Sequence, residues 1–484
     1  MSKYDYIKYK DEYKLRVLPQ DNDFFRTYIL ENNSLNEELI RTPSQKKLLE
    51  AKNYLSGKVK EYKISSLQEL KDKIERTRVL TYSVVDDAEA TLIFETTNDR
   101  GKSLTNLEKT KSFLMYKTYL VSESPQNQLE IIQDRFAHIY RDYETIEGNV
   151  SEDAILQYHF IAFEKWKSSR GNKEYQRNVS SVKRRINDLI KSNEQEQATD
   201  FIDKYSRELK ETYALMPSLI LRPTDILIDV NALGRTANFY PLLIKSYKKD
   251  KTEKKRNFNK VAKLCEIMSF RMYGVRRYRS NTALESLYRF ARDFNGDFSN
   301  LIRKFKSLLD EYCSESNFED SLLSSSFYKT INSREILYLF WKYENYLRTN
   351  EQPLASELSY KEFSETDRRK KLSIEHIAPQ NPANSQIVRD KTIIPEITEE
   401  FQESFLHNIG NLTFDPLSAN ISKSNSEFDI KNQKYFIRAP YKTQNELDTY
   451  LNPETNKWDS SSISNRARKI LQFALDYWNY DSVT

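Results

Sequence analysis

A glutamate followed directly by a histidine, Glu375 and His376, sits in the stretch IEHIAPQ; Asn411 follows in GNLTF, and Asn420, Lys423 and Asn425 in NISKSN. Phosphodiester hydrolysis needs a base that takes a proton from water and a divalent cation that stabilises charge on the phosphate and the leaving oxygen. Imidazole suits the first task near neutral pH, and carboxylate and amide oxygens suit a hard cation such as Mg²⁺, or alternatively Mn²⁺. The expected metal ligands are Glu375 and Asn420, with Asn425, about one helical turn on, as the alternative to Asn420. His376 is the expected base, Asn411 the amide whose carbonyl holds the imidazole in the useful tautomer, and Lys423 the cation that offsets phosphate charge. A lone histidine at a strand end is more often a structural residue. The order of the three fragments is what favours chemistry here.

The elements that must position these residues read as strand, long loop, strand, helix. KLSIEHIAPQ has the texture of a strand ending in a loop, NLTFDP of a second short strand, and SNSEFDIKNQKYF of a helix. Side chains alternate along a strand, so Glu375 and His376 are expected on opposite sides. ISNRARKILQFALDYW predicts a closing amphipathic helix with Ser462 as its N-cap.

Upstream, LLEAKNYLSGKVKEY, LEIIQDRFAHIYRDYETI, DAILQYHFIAFEKWKSS and SREILYLFWKYENYLRT repeat apolar residues at spacings of three and four, which predicts packed helices. RVLTYSVVDD, residues 78–87, reads as a strand, and Thr105 and Glu108 have capping-box spacing. The basic runs at 248–256 and 367–371 predict solvated loops. The fold class expected is mainly α with a small α+β part, divided at 1–125, 126–365 and 366–484.

Composition removes several classes. With 8 glycines in 484 residues, none spaced as GxxxxGK or GxGxxG, a Walker-type or Rossmann nucleotide site has no phosphate loop. Two distant cysteines supply neither a disulfide framework nor a zinc site. No apolar run approaches a membrane span, and the N-terminus lacks the pattern of a secretory signal, so a soluble, cytoplasmic protein is expected. A net charge of +5 permits nucleic-acid binding without demanding it. FRMYGVRRYRSN interleaves Arg271, Arg276, Arg277 and Arg279 with aromatic residues, a mixture suited to DNA phosphates and bases and equally to a solvated basic helix face. Of the other histidines, His138 and His159 fall in helical patterns that suggest packing or surface roles, and His407, just before GNL, is a second candidate.

IEHIAPQ, HNIGNLTF and NISKSNSEFDIKNQKY, followed by a closing helix with a tryptophan, resemble the C-terminal nuclease half of GmrSD-type modification-dependent (type IV) restriction endonucleases. The resemblance implies an HNH, or His-Me finger, nuclease domain of ββα-metal type over residues 366–484, acting on modified or foreign DNA in antiviral defence. IFETTNDRGKSLTNLEKTKSFL is similar to the FExxNxRGxxL segment of the same family's GmrS half, which places Asn98, Arg100 and Lys111 at nucleotide-binding positions and makes 1–125 a remnant of a ParB-like domain. A helix cap at Gly101 with solvated charges is the plainer reading of that stretch. Relatives carry an upstream DGQQR motif tied to nucleotide hydrolysis, which this chain does not contain. The expectation is that a partner protein supplies that half, and with it any NTP, or that the chain is a truncation. The alternative function is a non-catalytic DNA-binding or sensor subunit of a two-protein complex. Oligomeric state is not legible.

Overall fold

The computed structural model describes residues 7–9, 12–17, 19–34, 39–78, 104–351, 356–380 and 399–484. It is mainly helical, as expected. Packing divides the chain into two compact units, Met1–Phe160 with Trp166–Arg222, and Ile161–Lys165 with Pro223–Thr484. The expected bounds at 125/126 and 365/366 fall inside these packing units. Among the described residues no helix is long and apolar enough to cross a membrane.

The first unit contains helices α1 (Pro43–Glu61), α2 (Ile64–Glu75), α3 (Asn106–Val121), α4 (Pro125–Glu144) and α5 (Gln195–Leu221). Helix α3 begins where the sequence says it should: the Thr105 hydroxyl accepts from Glu108 N, and the Glu108 carboxylate accepts from Thr105 N. That reciprocal cap satisfies two amides that the first turn leaves unpaired. Helix α4 buries Leu129, Ile132, Phe136 and Ile139, one stripe at helical spacing, against α3 and α5. His159 is buried with its Nδ1 2.9 Å from Thr212 Oγ1, and His138 pairs with Asp134 at the surface, so both are packing or surface residues. Residues 79–87 of the strand expected over 78–87, and the FETTNDRG stretch, lie outside the described residues.

The second unit contains α6 (Arg256–Met268), α7 (Phe298–Cys313) and α8 (Ser333–Glu351), then strands β1 (Leu372–His376) and β2 (Leu412–Pro416), and helices α9 (Leu417–Lys423), α10 (Phe428–Lys434) and α11 (Ser460–Tyr477). The two strands pair antiparallel, with Glu375 opposite Thr413 and His376 opposite Leu412. Beside them Ile377, Phe428, Phe436, Leu447, Trp458 and Ile463 form one apolar cluster. Each such side chain contributes about 1.5–3 kcal/mol on burial, enough to fix the short strands between helices.

Helix α11 is capped by Asp459, whose carboxylate accepts from Ser461 N and Ser462 N; Ser462, expected as the N-cap, is the third helical residue of the capping box instead. The stronger acceptor lies three residues upstream of the hydroxyl that the sequence suggested. This helix packs directly on the turn before β2. A Cβ on Gly410 would lie 2.1 Å from Ile463 O, so only glycine permits the approach. Arg466, fully buried, then donates to Gly410 O at 2.9 Å and Leu412 O at 2.6 Å and pairs with Glu446 at 3.0 Å. Glycine and arginine together clamp β2 to α11.

Candidate functional site

Strand β1 ends at His376, and the chain turns there into Ile377 and Ala378. At that end a cavity of about 310 Å³ is bordered by Glu375, His376, Gln380, Asn420, Asn425 and Lys431, among others. Although strand alternation predicts opposite sides for Glu375 and His376, both border this one cavity at the strand end.

Glu375 and His376 are 3% and 4% exposed, so their chemistry is set by protein rather than by water. The Lys431 ammonium lies 2.7 Å from Glu375 Oε1 and donates to His376 O at 2.7 Å. Burial pushes the Glu375 carboxyl up, against the pull of Lys431, and pushes the Lys431 ammonium down, against the pull of Glu375. Removing both charges from water costs more than their attraction returns unless further groups satisfy them. The Lys431 ammonium is thus the partner of Glu375 Oε1.

The imidazole of His376 is held at both nitrogens. Gln380 Nε2 stands 2.7 Å from its Nδ1, and His407 Nδ1 stands 3.3 Å from its Nε2. Tyr328 meets the ring edge-on at 4.5 Å. Burial, with His407 and Lys431 nearby, pushes the imidazole pKa down to about 3, so the ring is neutral.

Asn420 uses its amide nitrogen on Ser373 Oγ at 3.0 Å and Ile374 O at 2.9 Å, which commits both amide hydrogens and leaves the oxygen for a ligand. Asn425 borders the same cavity, so the choice between the two asparagines stays open. A carboxylate, an amide oxygen and room for water suit Mg²⁺, which keeps several waters and takes few protein ligands. Among the described residues no group of three or more His, Cys, Asp or Glu is placed to hold a metal.

Two expected roles move. Asn411 does not touch the imidazole: its Oδ1 accepts from Ala378 N at 2.8 Å and Trp458 Nε1 at 3.1 Å, while its Nδ2 donates to Leu406 O at 2.9 Å. It pins the loop after His376 instead of the ring itself. Lys423 is 1% exposed and pairs with Asp415, its Nζ bonded to Oδ2, which ties the end of α9 back to β2 and takes the ammonium out of reach of a phosphate. The sequence reading passed over Gln380 and Lys431, and only the PQ of IEHIAPQ hinted at the first.

Residues 312–473 match the family model described as GmrSD restriction endonucleases, C-terminal domain. No curated protein and no solved structure matches the chain. The matched segment contains every residue of the cavity and also His407 and Tyr328. The arginines expected on DNA lie outside it, and the first does not fit that role. Arg271, 2% exposed, donates to Trp478 O at 3.2 Å and Cys313 O at 2.9 Å. It lies in a π-helical turn, Ser269–Val275, that is buried throughout. Arg276 is half-buried and donates to Ser321 Oγ at 3.1 Å, whereas Arg277 and Arg279 are exposed. Lys111 sits on α3 near the Tyr140 ring, its pKa lowered by burial. Asn98 and Arg100 lie outside the described residues.

Proposed function

We propose that this chain is a metal-dependent, HNH-type DNA endonuclease subunit of a restriction system acting on modified or foreign DNA. One observation carries the reading: Glu375, His376, Asn420 and Asn425, drawn from two distant stretches, border a single cavity within the segment similar to restriction endonucleases. A Mg²⁺ or Mn²⁺ ion held by Glu375 and Asn420 or Asn425 would supply Lewis-acid stabilisation of charge on the phosphate and leaving oxygen. Neutral His376 takes a proton from water at Nδ1, the nitrogen that the Gln380 amide now contacts; the hydroxide attacks phosphorus, the bond to the leaving oxygen breaks, and that oxygen is protonated from solvent. Gln380 must therefore yield its place to the water as substrate enters. Lys431 holds the carboxylate of Glu375 and the carbonyl of His376, so it keeps both residues in register at the strand end.

The partner that would supply the DGQQR half, and any nucleotide gating through it, belong to the same proposal. The test is nicking of plasmid or phage DNA with Mg²⁺: the parent cleaves and His376→Ala is slower by about 10³-fold, the middle of the usual range for a general base. Equal rates for the two proteins sink the assignment. The Lys431–Glu375 ion pair favours a second reading, a non-catalytic DNA-binding or sensor subunit, because an ammonium already neutralises the expected metal ligand. Salt-sensitive DNA binding without metal-dependent cleavage, unchanged by Glu375→Ala, would select it.

A further inference from the structure

We infer that His407 is the positioning residue of His376, holding its proton on Nε2 so that Nδ1 is the basic nitrogen at the cavity. This rests on the nuclease reading and assigns to a second histidine the task that Asn411 was expected to perform. An amide nitrogen can only donate, so the contact from Gln380 Nε2 at 2.7 Å makes His376 Nδ1 an acceptor. A neutral imidazole then carries its proton on Nε2. That proton faces His407 Nδ1, 3.3 Å away, which must accept and so carries its own proton on Nε2.

Both rings are fixed by a third. Tyr328 stacks on His407 at 5.7 Å and 11°, and meets His376 edge-on at 4.5 Å and 82°. Its backbone N–H donates to His407 O at 3.0 Å, which anchors the segment that carries the second histidine. The imidazole of His376 is thus held in one tautomer and one orientation by a neutral acceptor. When Nδ1 takes a proton from water, the resulting imidazolium keeps its Nε2–H on His407, so no rearrangement accompanies the step. A partner of this kind acts through the base and not on substrate, as hydrogen-bonded carboxylates and carbonyls do for other working histidines.

Two variants separate positioning from mere packing. His407→Phe keeps a ring against Tyr328 and removes the acceptor; His407→Asn places an amide oxygen near the position of Nδ1. In plasmid nicking with Mg²⁺ at saturating DNA, His407→Phe is expected to lose about 10- to 100-fold in kcat with KM unchanged, and His407→Asn to recover most of it. A Phe variant as fast as the parent, or an Asn variant no faster than Phe, overturns the role. Long-range ¹H–¹⁵N correlation spectra of the four histidines, assigned with His376→Ala, give a readout independent of activity. The Nε2–H tautomer for His376 in the parent, with its Nε2–H signal shifted and exchanging faster with solvent in His407→Phe, supports the inference; an Nδ1–H tautomer in the parent, or an Nε2–H signal that does not change in the variant, overturns it. If the parent cleaves no faster than His376→Ala, the nuclease reading fails and this one with it. Loss in His376→Ala alone, with none in His407→Phe, defeats only the positioning role.

Discussion

Two stretches of the second unit carry polar residues suited to chemistry or binding, and the structure uses them in opposite ways. In the turn after α6, Arg271 spends its donors on the carbonyls of Trp478 and Cys313 and lies 4.5 Å over the Phe318 ring. At the end of β1, Glu375, paired with Lys431, and Asn420, whose amide nitrogen is spent on Ser373 and Ile374, both border a cavity. Residue type is the same kind of signal in both places. What differs is access: Arg271 lies in a turn buried throughout, whereas Glu375 and Asn420 border a cavity.

The largest effect that can break this contrast is catalytic. Glu375→Ala removes the expected anionic ligand and leaves Lys431 as a buried, unpaired cation; cleavage with Mg²⁺ is expected to fall by about 10³-fold, some 4 kcal/mol at about 1.4 kcal/mol per tenfold. Glu375→Gln, which preserves packing, should lose nearly as much. Metal-dependent nicking assays decide it, and full activity in the Gln variant would place the metal elsewhere.

Next comes a loss of stability at the other region. Arg271→Ala strands two buried carbonyls and an apolar hollow, so unfolding free energy should drop by about 3 kcal/mol. Urea unfolding monitors this, and the folded fraction should cleave at the parental rate. A variant of normal stability that no longer binds DNA would reverse the assignment and return Arg271 to the interface.

The pH dependence is smaller. His376 has its pKa depressed from 6.5 to about 3 in the folded protein, because burial disfavours the imidazolium. Between these two values the unfolded chain binds a proton that the folded one does not, so stability falls as pH drops through that window, by up to about 1.4 kcal/mol per unit. Denaturation at pH 7.5, 6 and 5 should show the decline, with a shallower slope in His376→Gln. An unchanged slope would mean that the imidazole is solvated in the native state.

How much of this was legible follows from separation along the chain. Glu375 and His376 could be placed because a strand of recognisable pattern carries them, whereas Asn420 lies on α9, a short helix ahead of the one expected over SNSEFDIKNQKYF. Lys431 could not, since its meeting with the carbonyl of His376 joins residues 55 positions apart through the packing of α10. Asn411 was expected at the imidazole because an amide in that order suits it, yet a buried amide takes whichever partners the fold presents, here Ala378 and Trp458. Arg271 misled for the opposite reason: basic and aromatic residues look alike in a nucleic-acid surface and in a buried clamp, and only burial tells them apart. The capping box at Thr105 and Glu108 was legible in full, because its partners are three residues apart and need no tertiary information.

The smallest effect concerns the two arginines that the turn leaves outside. Arg277, at a positive φ of 61°, and Arg279 are exposed. Their guanidinium groups are available for phosphates while Arg271 is not. Each phosphate contact in duplex DNA contributes about 0.9 to the slope of log K against log salt, so Arg277→Ala with Arg279→Ala should reduce that slope by about two. Affinity at low salt should fall by a few fold, with cleavage at saturating DNA and thermal stability unchanged, because neither side chain supports the core. Fluorescence anisotropy over a salt series measures the slope. If it does not move, the DNA path avoids this turn altogether, and the basic, aromatic stretch is structural along its whole length.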